Sequence, residues 1–246
     1  MAREAHTRYQ TVTRTHKFKF AGCCIYCGAD GSSHDLTLEH IIPEAIGGRL
    51  SIPKASCEEC RDETHAFEGH VISKLYGDAR AHLKMSRGKK RPWPTAFKSR
   101  VVKEGKIQVQ VNPLETHPGW LFGIELSPAG IFYKQQPPPD ERPLLLNIQP
   151  RLVNPEFIDH WRKTKDTLAY PAGGLQISAF YRFLAKIGHS YAVAQFGIGT
   201  FIPFLTGAIR NQNSRALTQY VGSQLSPYKP DGIVGLHDIS QVAAYC

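Results

Sequence analysis

The side chains with the most distinctive chemistry are two cysteine pairs, Cys24-Ile-Tyr-Cys27 and Cys57-Glu-Glu-Cys60. Four thiolates from two such pairs, about thirty residues apart in the chain, can surround one zinc ion tetrahedrally. Glu39 and His40 stand between the pairs. An acidic residue beside a histidine can hold a second metal ion and activate a water molecule. We therefore expect the cysteine pairs to form a structural zinc site and the residues between them in the sequence to form a reactive site.

The cysteine spacing favours metal binding over a disulfide framework. A redox role for Cys24 and Cys27 would require a strand before them and a helix after them. Gly28 and later a Gly-Ser-Ser turn follow instead, and the second pair repeats the spacing of the first. Cys23 and Cys246 are left over, and we expect both to be free thiols.

Composition limits the class of protein. The chain has 246 residues, 41% hydrophobic and 21% charged, as expected of a globular protein with one large domain or two small ones. No apolar stretch reaches the roughly twenty residues that span a bilayer. The N-terminus does not resemble a signal peptide. These features predict a cytoplasmic protein without a membrane-spanning segment.

The formal net charge of +9 is concentrated in one stretch. Residues 74–106, the basic stretch, contain eleven lysines and arginines against two acidic residues, so the rest of the chain sums to neutral. Most such runs are simply solvated faces. Here the run follows the cysteine pairs directly, where it could neutralise phosphates and release their counterions. Trp93 and Phe97 within it could stack on unpaired bases or anchor a linker.

Hydrophobic periodicity predicts the elements that position these residues. In the first part we expect a strand at Asp35–Glu39, a loop through Pro43 and Gly47-Gly48, and a helix over Glu58–Leu75. Farther on we expect a second long helix over Ile177–Phe196 that Gly197 ends. Between these parts the pattern predicts a hairpin over Ser99–Val111 that turns at Glu104-Gly105, strands at Trp120–Leu126, Gly130–Tyr133 and Leu144–Ile148, and a short helix over Asn154–Lys163.

These elements predict an α+β fold in four segments. Residues 1–19 form a basic arm or an edge strand, and residues 20–85 form a zinc-stabilised ββα module. Residues 86–98 form a basic linker that is rich in proline and glycine. Residues 99–246 form a mixed α/β accessory domain, whose topology the sequence leaves open.

The arrangement around Glu39 and His40 resembles a known family. A C-x-x-C pair, then Leu-Thr-Leu-Glu-His-Ile-Ile-Pro-x-x-x-Gly-Gly, then a second C-x-x-C that opens a helix, is similar to the zinc-knuckle branch of the HNH endonucleases. The resemblance extends over roughly Cys24 to Glu68, under a fifth of the chain. The combination of spacings is much more specific than either C-x-x-C alone.

The resemblance implies a role for each matching position. His40 corresponds to the general base that takes a proton from the attacking water. Glu39 corresponds to the ligand of a catalytic divalent ion, Mg²⁺ or Mn²⁺, at the scissile phosphate. The four paired cysteines correspond to the ligands of a structural zinc ion: Cys24, Cys27, Cys57 and Cys60.

One position departs from the family pattern. Such nucleases place an asparagine or histidine directly after the last knuckle cysteine as a second ligand of the catalytic metal, and this chain has Arg61 there. Arginine carries a positive charge and cannot ligate a cation. His65 lies one helical turn later, so we expect it to be the substitute ligand, with Asp62 as second choice. Arg61 could then bind a phosphate oxygen.

The sequence therefore predicts a metal-dependent endonuclease that hydrolyses phosphodiester bonds in double-stranded DNA. The alternative is a zinc-stabilised nucleic-acid-binding protein that has lost catalysis, for which Arg61 is the main argument. A third hypothesis assigns the principal activity to residues 99–246. Lys186 and His189 share a helix with an apolar stripe, and we expect them to flank the core rather than to form an acid/base site.

Overall fold

The structure is a computed structural model. It describes residues 15–33, 35–85, 92–103, 106–133, 146–154, 157, 163, 167–169, 176–213 and 215–223. The strands are β1 (His16–Lys17), β2 (Thr37–His40), β3 (Leu50–Ser56), β4 (Ala96–Lys103), β5 (Lys106–Pro113), β6 (Trp120–Leu126), β7 (Leu146–Leu152) and β8 (Thr167–Ala169). The α-helices are α1 (Glu58–Leu75), α2 (Gly77–His82), α3 (Ile177–Phe196), α4 (Thr206–Ile209) and α5 (Arg215–Tyr220).

A β-hairpin followed by a helix forms the N-terminal part. Strands β2 and β3 pair antiparallel, with Glu39 opposite Ile52, and β1 adds in parallel at the outer edge of β3. Residues 1–19 were predicted to form either a basic arm or an edge strand. Residues 16–17 form an edge strand, and residues 1–14 lie outside the described residues. Helix α1 has the predicted bounds. The first predicted strand is displaced, because pairing begins at Thr37 and extends to His40.

Two glycines shape the loop between β2 and β3. Gly47 ends a short 3-10 helix (Glu44–Ile46) with φ +89°, in the left-handed region that side chains disfavour. Gly48 packs so closely on the Ile42 carbonyl that a β-carbon would collide with its oxygen. Its amide donates to the Pro43 carbonyl at 3.1 Å. The Pro-x-x-x-Gly-Gly motif therefore returns the chain to β3 in a tight turn.

The middle of the chain forms two small antiparallel sheets. The predicted hairpin is present as β4 and β5, with Lys103 opposite Lys106 and β8 on the other side of β4. The turn itself, residues 104–105, lies outside the described residues. β6 has the predicted bounds and pairs with β7, which extends to Leu152, past the predicted end at Ile148, while residues 144–145 lie outside the described residues. Most of the predicted helix over 154–163 also lies outside the described residues.

The prediction of a strand at Gly130–Tyr133 is wrong, because these residues form a 3-10 helix. A short apolar run after a glycine does not distinguish a strand from a single helical turn. The segment contacts α5, whose position depends on the folded C-terminal part. Tertiary packing therefore decides its conformation.

Helix α3, also with the predicted bounds, packs against α1. Phe67 and Val71 of α1 belong to the same buried cluster as Phe180 and Phe183 of α3. The Arg182 guanidinium lies over the Phe67 ring, 4.6 Å from its centroid. The core thus continues from the ββα part into residues predicted as an accessory domain, whose boundaries stay a prediction.

A buried histidine connects α2 with the first of the two sheets. His117 is hydrogen-bonded through Nε2 to the Asp78 carboxylate at 3.0 Å and through Nδ1 to the Ser99 hydroxyl at 2.9 Å. Asn112 donates to the same hydroxyl at 3.1 Å. The network therefore joins α2 to β4 and β5.

The mixed α+β class predicted from the sequence is confirmed. Within the described ranges, no helix is both long enough and apolar enough to cross a membrane.

Candidate metal centre and catalytic site

The four paired cysteines converge at one point. Their sulfur atoms all lie within 4.8 Å of one another, and Cys27 Sγ is 3.7 Å from Cys57 Sγ. Tetrahedral zinc with Zn–S bonds of about 2.3 Å places its sulfurs about 3.8 Å apart. The geometry fits a closed structural zinc site that these four residues hold: Cys24, Cys27, Cys57 and Cys60.

Local backbone structure arranges the two pairs. Gly28 has φ +77°, and its amide donates to the Cys24 carbonyl at 2.8 Å, which turns the first knuckle back on itself. Cys57 precedes the first turn of α1, where the Arg61 amide donates to its carbonyl at 2.9 Å. Cys60 follows one turn later on the buried side of the helix. The loop and the helix start therefore present their thiols to a common point.

The electrostatics of this cluster favour a bound cation. Burial raises the pKa of the Cys60 thiol, and the neighbouring charge of Cys24 raises it further. Several thiolates cannot share so small a space without a positive ion between them. A zinc ion held by these cysteines would supply that charge, because zinc binds deprotonated sulfurs.

Glu39 lies inside the protein, where it meets a lysine from α3. Glu39 is only 5% exposed. Lys186 Nζ lies 2.6 Å from Glu39 Oε1 and 2.8 Å from Glu68 Oε1 of α1. Lys186 also donates to the main-chain carbonyl of His40 and, at 3.3 Å, to that of Ile41. We call these oxygens, from Glu39, Glu68, His40 and Ile41, the oxygen cage.

The carboxylates of the cage determine the protonation state of Lys186. Burial alone would lower the pKa of Lys186, but the carboxylates of Glu39 and Glu68 raise it above its ordinary value. The lysine therefore carries its positive charge at neutral pH. Burial raises the pKa of Glu68, and Lys186 opposes that rise.

His40 lies on the other face of the same strand. Side chains alternate along β2, so His40 points away from the face where Glu39 meets Lys186. Its side chain is half-buried, whereas that of Glu39 is buried. The neighbouring Ile41 amide donates to the Leu50 carbonyl at 3.0 Å, which ties this end of the strand to β3. A histidine that keeps contact with solvent can exchange protons with water or substrate.

The remaining predicted site residues lie along the first turns of α1. Arg61 Nη2 pairs with Glu58 at 3.2 Å and with Asp62 at 3.0 Å. His65 is exposed, and its charge helps to lower the pKa of Glu68. Arg61 is thus held along its own helix by two ion pairs, and the His65 side chain is open to solvent.

These contacts do not fit a divalent ion at Glu39. In the described part of the chain, the four cysteines are the one group of three or more Cys, His, Asp or Glu side chains close enough to hold a metal. The Glu39 carboxylate instead has the Lys186 ammonium as its neighbouring cation. The cysteine site and the Glu39 site therefore differ in kind, since the first has the ligands of a zinc ion and the second pairs a carboxylate with a lysine.

Sequence reasoning missed how α3 contributes to the site. It placed Lys186 and His189 beside the core, but both are buried, at 1% and 2% exposure. His189 Nε2 donates to the Ile25 carbonyl inside the first knuckle at 2.7 Å, and Tyr26 is hydrogen-bonded to Ser190 at 3.0 Å. The available signal was a lysine and a histidine, three residues apart, beside an apolar helical stripe.

Part of the basic stretch is structural. Arg80 is buried, donates to the Ala45 carbonyl at 2.6 Å and lies over the Trp93 ring at 5.3 Å. Trp93 donates to the Met85 carbonyl at 2.9 Å, so it anchors the chain after α2. Phe97 stacks on His117 at 5.0 Å. Other basic side chains of the stretch are exposed: Lys74, Lys84, Lys98, Arg100 and Lys106.

Comparison with known proteins confirms the family resemblance. A model of the HNH endonuclease family matches residues 24–75, from the first zinc ligand to the end of α1. No curated protein and no solved structure matches the chain. An HNH domain indicates a nuclease-like function and a nucleic-acid partner.

Proposed function

We propose that this protein is an endonuclease that hydrolyses phosphodiester bonds in DNA, with His40 as the general base. The observation that carries the proposal is the match of residues 24–75 to the HNH endonucleases, which includes His40 on its hairpin. The half-buried side chain of His40 supports it, because a general base must reach a water molecule. The zinc site supports it by holding the hairpin against α1.

In the proposed reaction a water oxygen attacks the phosphorus, and the bond from phosphorus to the leaving oxygen breaks. His40 takes the proton that the water loses, and the leaving oxygen takes a proton from solvent to become a hydroxyl. Positioned proton transfer of this kind contributes about 10²- to 10⁴-fold to a rate. Arg61 could bind a phosphate oxygen after release from Glu58 and Asp62, since exposed ion pairs of this type contribute little energy.

The family resemblance adds Mg²⁺ or Mn²⁺ with Glu39 as a ligand, and helical spacing adds His65 as the substitute for the ligand that Arg61 replaces. That assignment stays a prediction, and the ion pair between Glu39 and Lys186 argues against it. No step of the proposed reaction therefore depends on a divalent ion at Glu39.

Double-stranded DNA is the proposed substrate because of the exposed positive charge of the basic stretch. Exposed lysines and arginines of the basic stretch can neutralise phosphates on a duplex. We expect the logarithm of the DNA association constant to fall linearly with the logarithm of salt concentration. A flat dependence would remove the phosphate-binding role of this stretch.

A second candidate is a zinc-stabilised DNA-binding protein without catalysis. Two observations favour it: Arg61 stands where the family has a metal ligand, and Lys186 occupies the cage at Glu39. In that case the same basic side chains bind DNA and no bond is cut.

Plasmid nicking distinguishes the two candidates. Zinc-loaded protein is incubated with supercoiled plasmid, with Mg²⁺, with Mn²⁺ and with neither, and nicked product is measured over time. We expect His40→Ala to lose activity and His16→Ala, at an exposed histidine of β1, to retain it. If wild type nicks no faster than His40→Ala in all three conditions, the nuclease proposal fails, and salt-dependent binding then supports the second candidate.

A further inference from the structure

The oxygen cage has the composition of a cation site. Two carboxylates and two main-chain carbonyls converge on Lys186 Nζ, and these hard oxygen donors are the ligands that Mg²⁺ and Mn²⁺ prefer. Such a set is expected around a metal ion. Here it surrounds the end of a lysine side chain.

The lysine reaches the cage from a distant part of the chain. Lys186 stands on α3, and 1% of the residue is exposed, so the helix holds its ammonium in place. The neighbouring turns of α3 are anchored to the same module: His189 binds the first knuckle, and Arg182 covers Phe67 of α1. The packing of α3 therefore fixes the position of the ammonium in the folded protein.

A divalent ion and the ammonium cannot share these oxygens. Mg²⁺ lies about 2.0–2.1 Å from its oxygen ligands, while Nζ is already 2.6 Å from Glu39 Oε1. An ion bound to the same oxygen on that side would meet the ammonium at contact distance, with strong repulsion between like charges. One cation must leave before the other can bind.

We propose that Lys186 is the resident cation of the cage and that Glu39 therefore does not ligate a divalent metal in this protein. The lysine supplies the positive charge that the family resemblance assigns to a metal ion at this position. The inference concerns Glu39 and Lys186 and deepens the proposed function, but metal binding can be measured without DNA. Its failure is therefore distinguishable from failure of the nuclease proposal.

Manganese binding to the zinc-loaded chain tests the inference. The signal of free Mn²⁺ in electron paramagnetic resonance reports how much ion the protein binds. We expect Glu39→Gln to change Mn²⁺ affinity by less than about twofold relative to wild type, because an amide in place of an unused carboxylate removes no ligand. A loss of about tenfold or more in Glu39→Gln, with the zinc content and circular dichroism of wild type, would overturn the proposal.

The reciprocal variant opens the cage. Lys186→Met removes the ammonium, and we expect it to gain one Mn²⁺ site that Glu39→Gln in the same chain abolishes. The matched control is Lys74→Met, an exposed lysine of α1, which should bind Mn²⁺ as wild type does. If Lys186→Met folds and gains no ion, the proposal fails. If it does not fold, the comparison of wild type with Glu39→Gln decides the question alone.

Discussion

Removal of the Lys186 charge is expected to destabilise the whole protein. In Lys186→Met the carboxylates of Glu39 and Glu68 stay buried, at 5% and 8% exposure, without their cation. Breaking a buried ion pair by removing one partner costs about 3–5 kcal/mol. The two carbonyls that accept from Nζ lose their donor as well. We therefore expect a loss of at least about 3 kcal/mol in the free energy of unfolding.

The assay is urea unfolding of zinc-loaded protein, followed by circular dichroism in buffer without other divalent ions. Lys74→Met, at an exposed lysine, should stay within about 0.5 kcal/mol of wild type. Lys186→Met combined with Glu39→Met and Glu68→Met removes all three charges, and it should recover at least about half of the loss. If Lys186→Met costs less than about 1 kcal/mol, the cage is not the buried ionic cluster described above.

Three further predictions concern the zinc site, the α3 contact and the glycine turn. Cys60→Ala should lower zinc content measured by elemental analysis, while Cys23→Ala should leave it unchanged; equal zinc in both would exclude the four-cysteine site. Burial lowers the pKa of His189, so as pH falls the unfolded chain takes up this proton before the folded protein does. The free energy of unfolding should therefore fall as pH drops through about 6.5. His189→Gln should weaken that dependence, and parallel pH profiles of the variant and wild type would contradict this role of His189. Gly48→Ala should lower the free energy of unfolding by about 1–3 kcal/mol, because its new β-carbon collides with the Ile42 carbonyl. Gly69→Ala, at an exposed and open position of α1, should raise it by about 0.5–1 kcal/mol. Equal effects of the two variants in thermal melts would refute the close packing of Gly48.

The long helices and the zinc ligands could be predicted because their signals are local. Helices α1 and α3 follow from apolar residues at helical spacing, and Gly197 marks the end of α3. The cysteine pairs specify their own geometry through two equal spacings. Each of these predictions depends on residues within one segment of chain.

The environment of Glu39 could not be predicted because it depends on contacts across the fold. Lys186 is 146 residues from His40, whose carbonyl it binds. Nothing in one sequence indicates which face of α3 meets β2. A lysine beside an apolar stripe was therefore expected at the edge of the core, in contact with solvent. The 3-10 helix at Gly130–Tyr133 was missed for the same reason, since its conformation depends on contact with α5.

Chemical rescue of His40→Ala tests whether His40 acts as a general base in DNA cleavage. Imidazole added to this variant can occupy the space of the missing ring and accept the proton. We expect His40→Ala to nick supercoiled plasmid about 10²- to 10⁴-fold more slowly than wild type, and we expect imidazole to restore part of that rate. A His40→Ala variant that nicks at the wild-type rate, with or without imidazole, would exclude His40 as the general base.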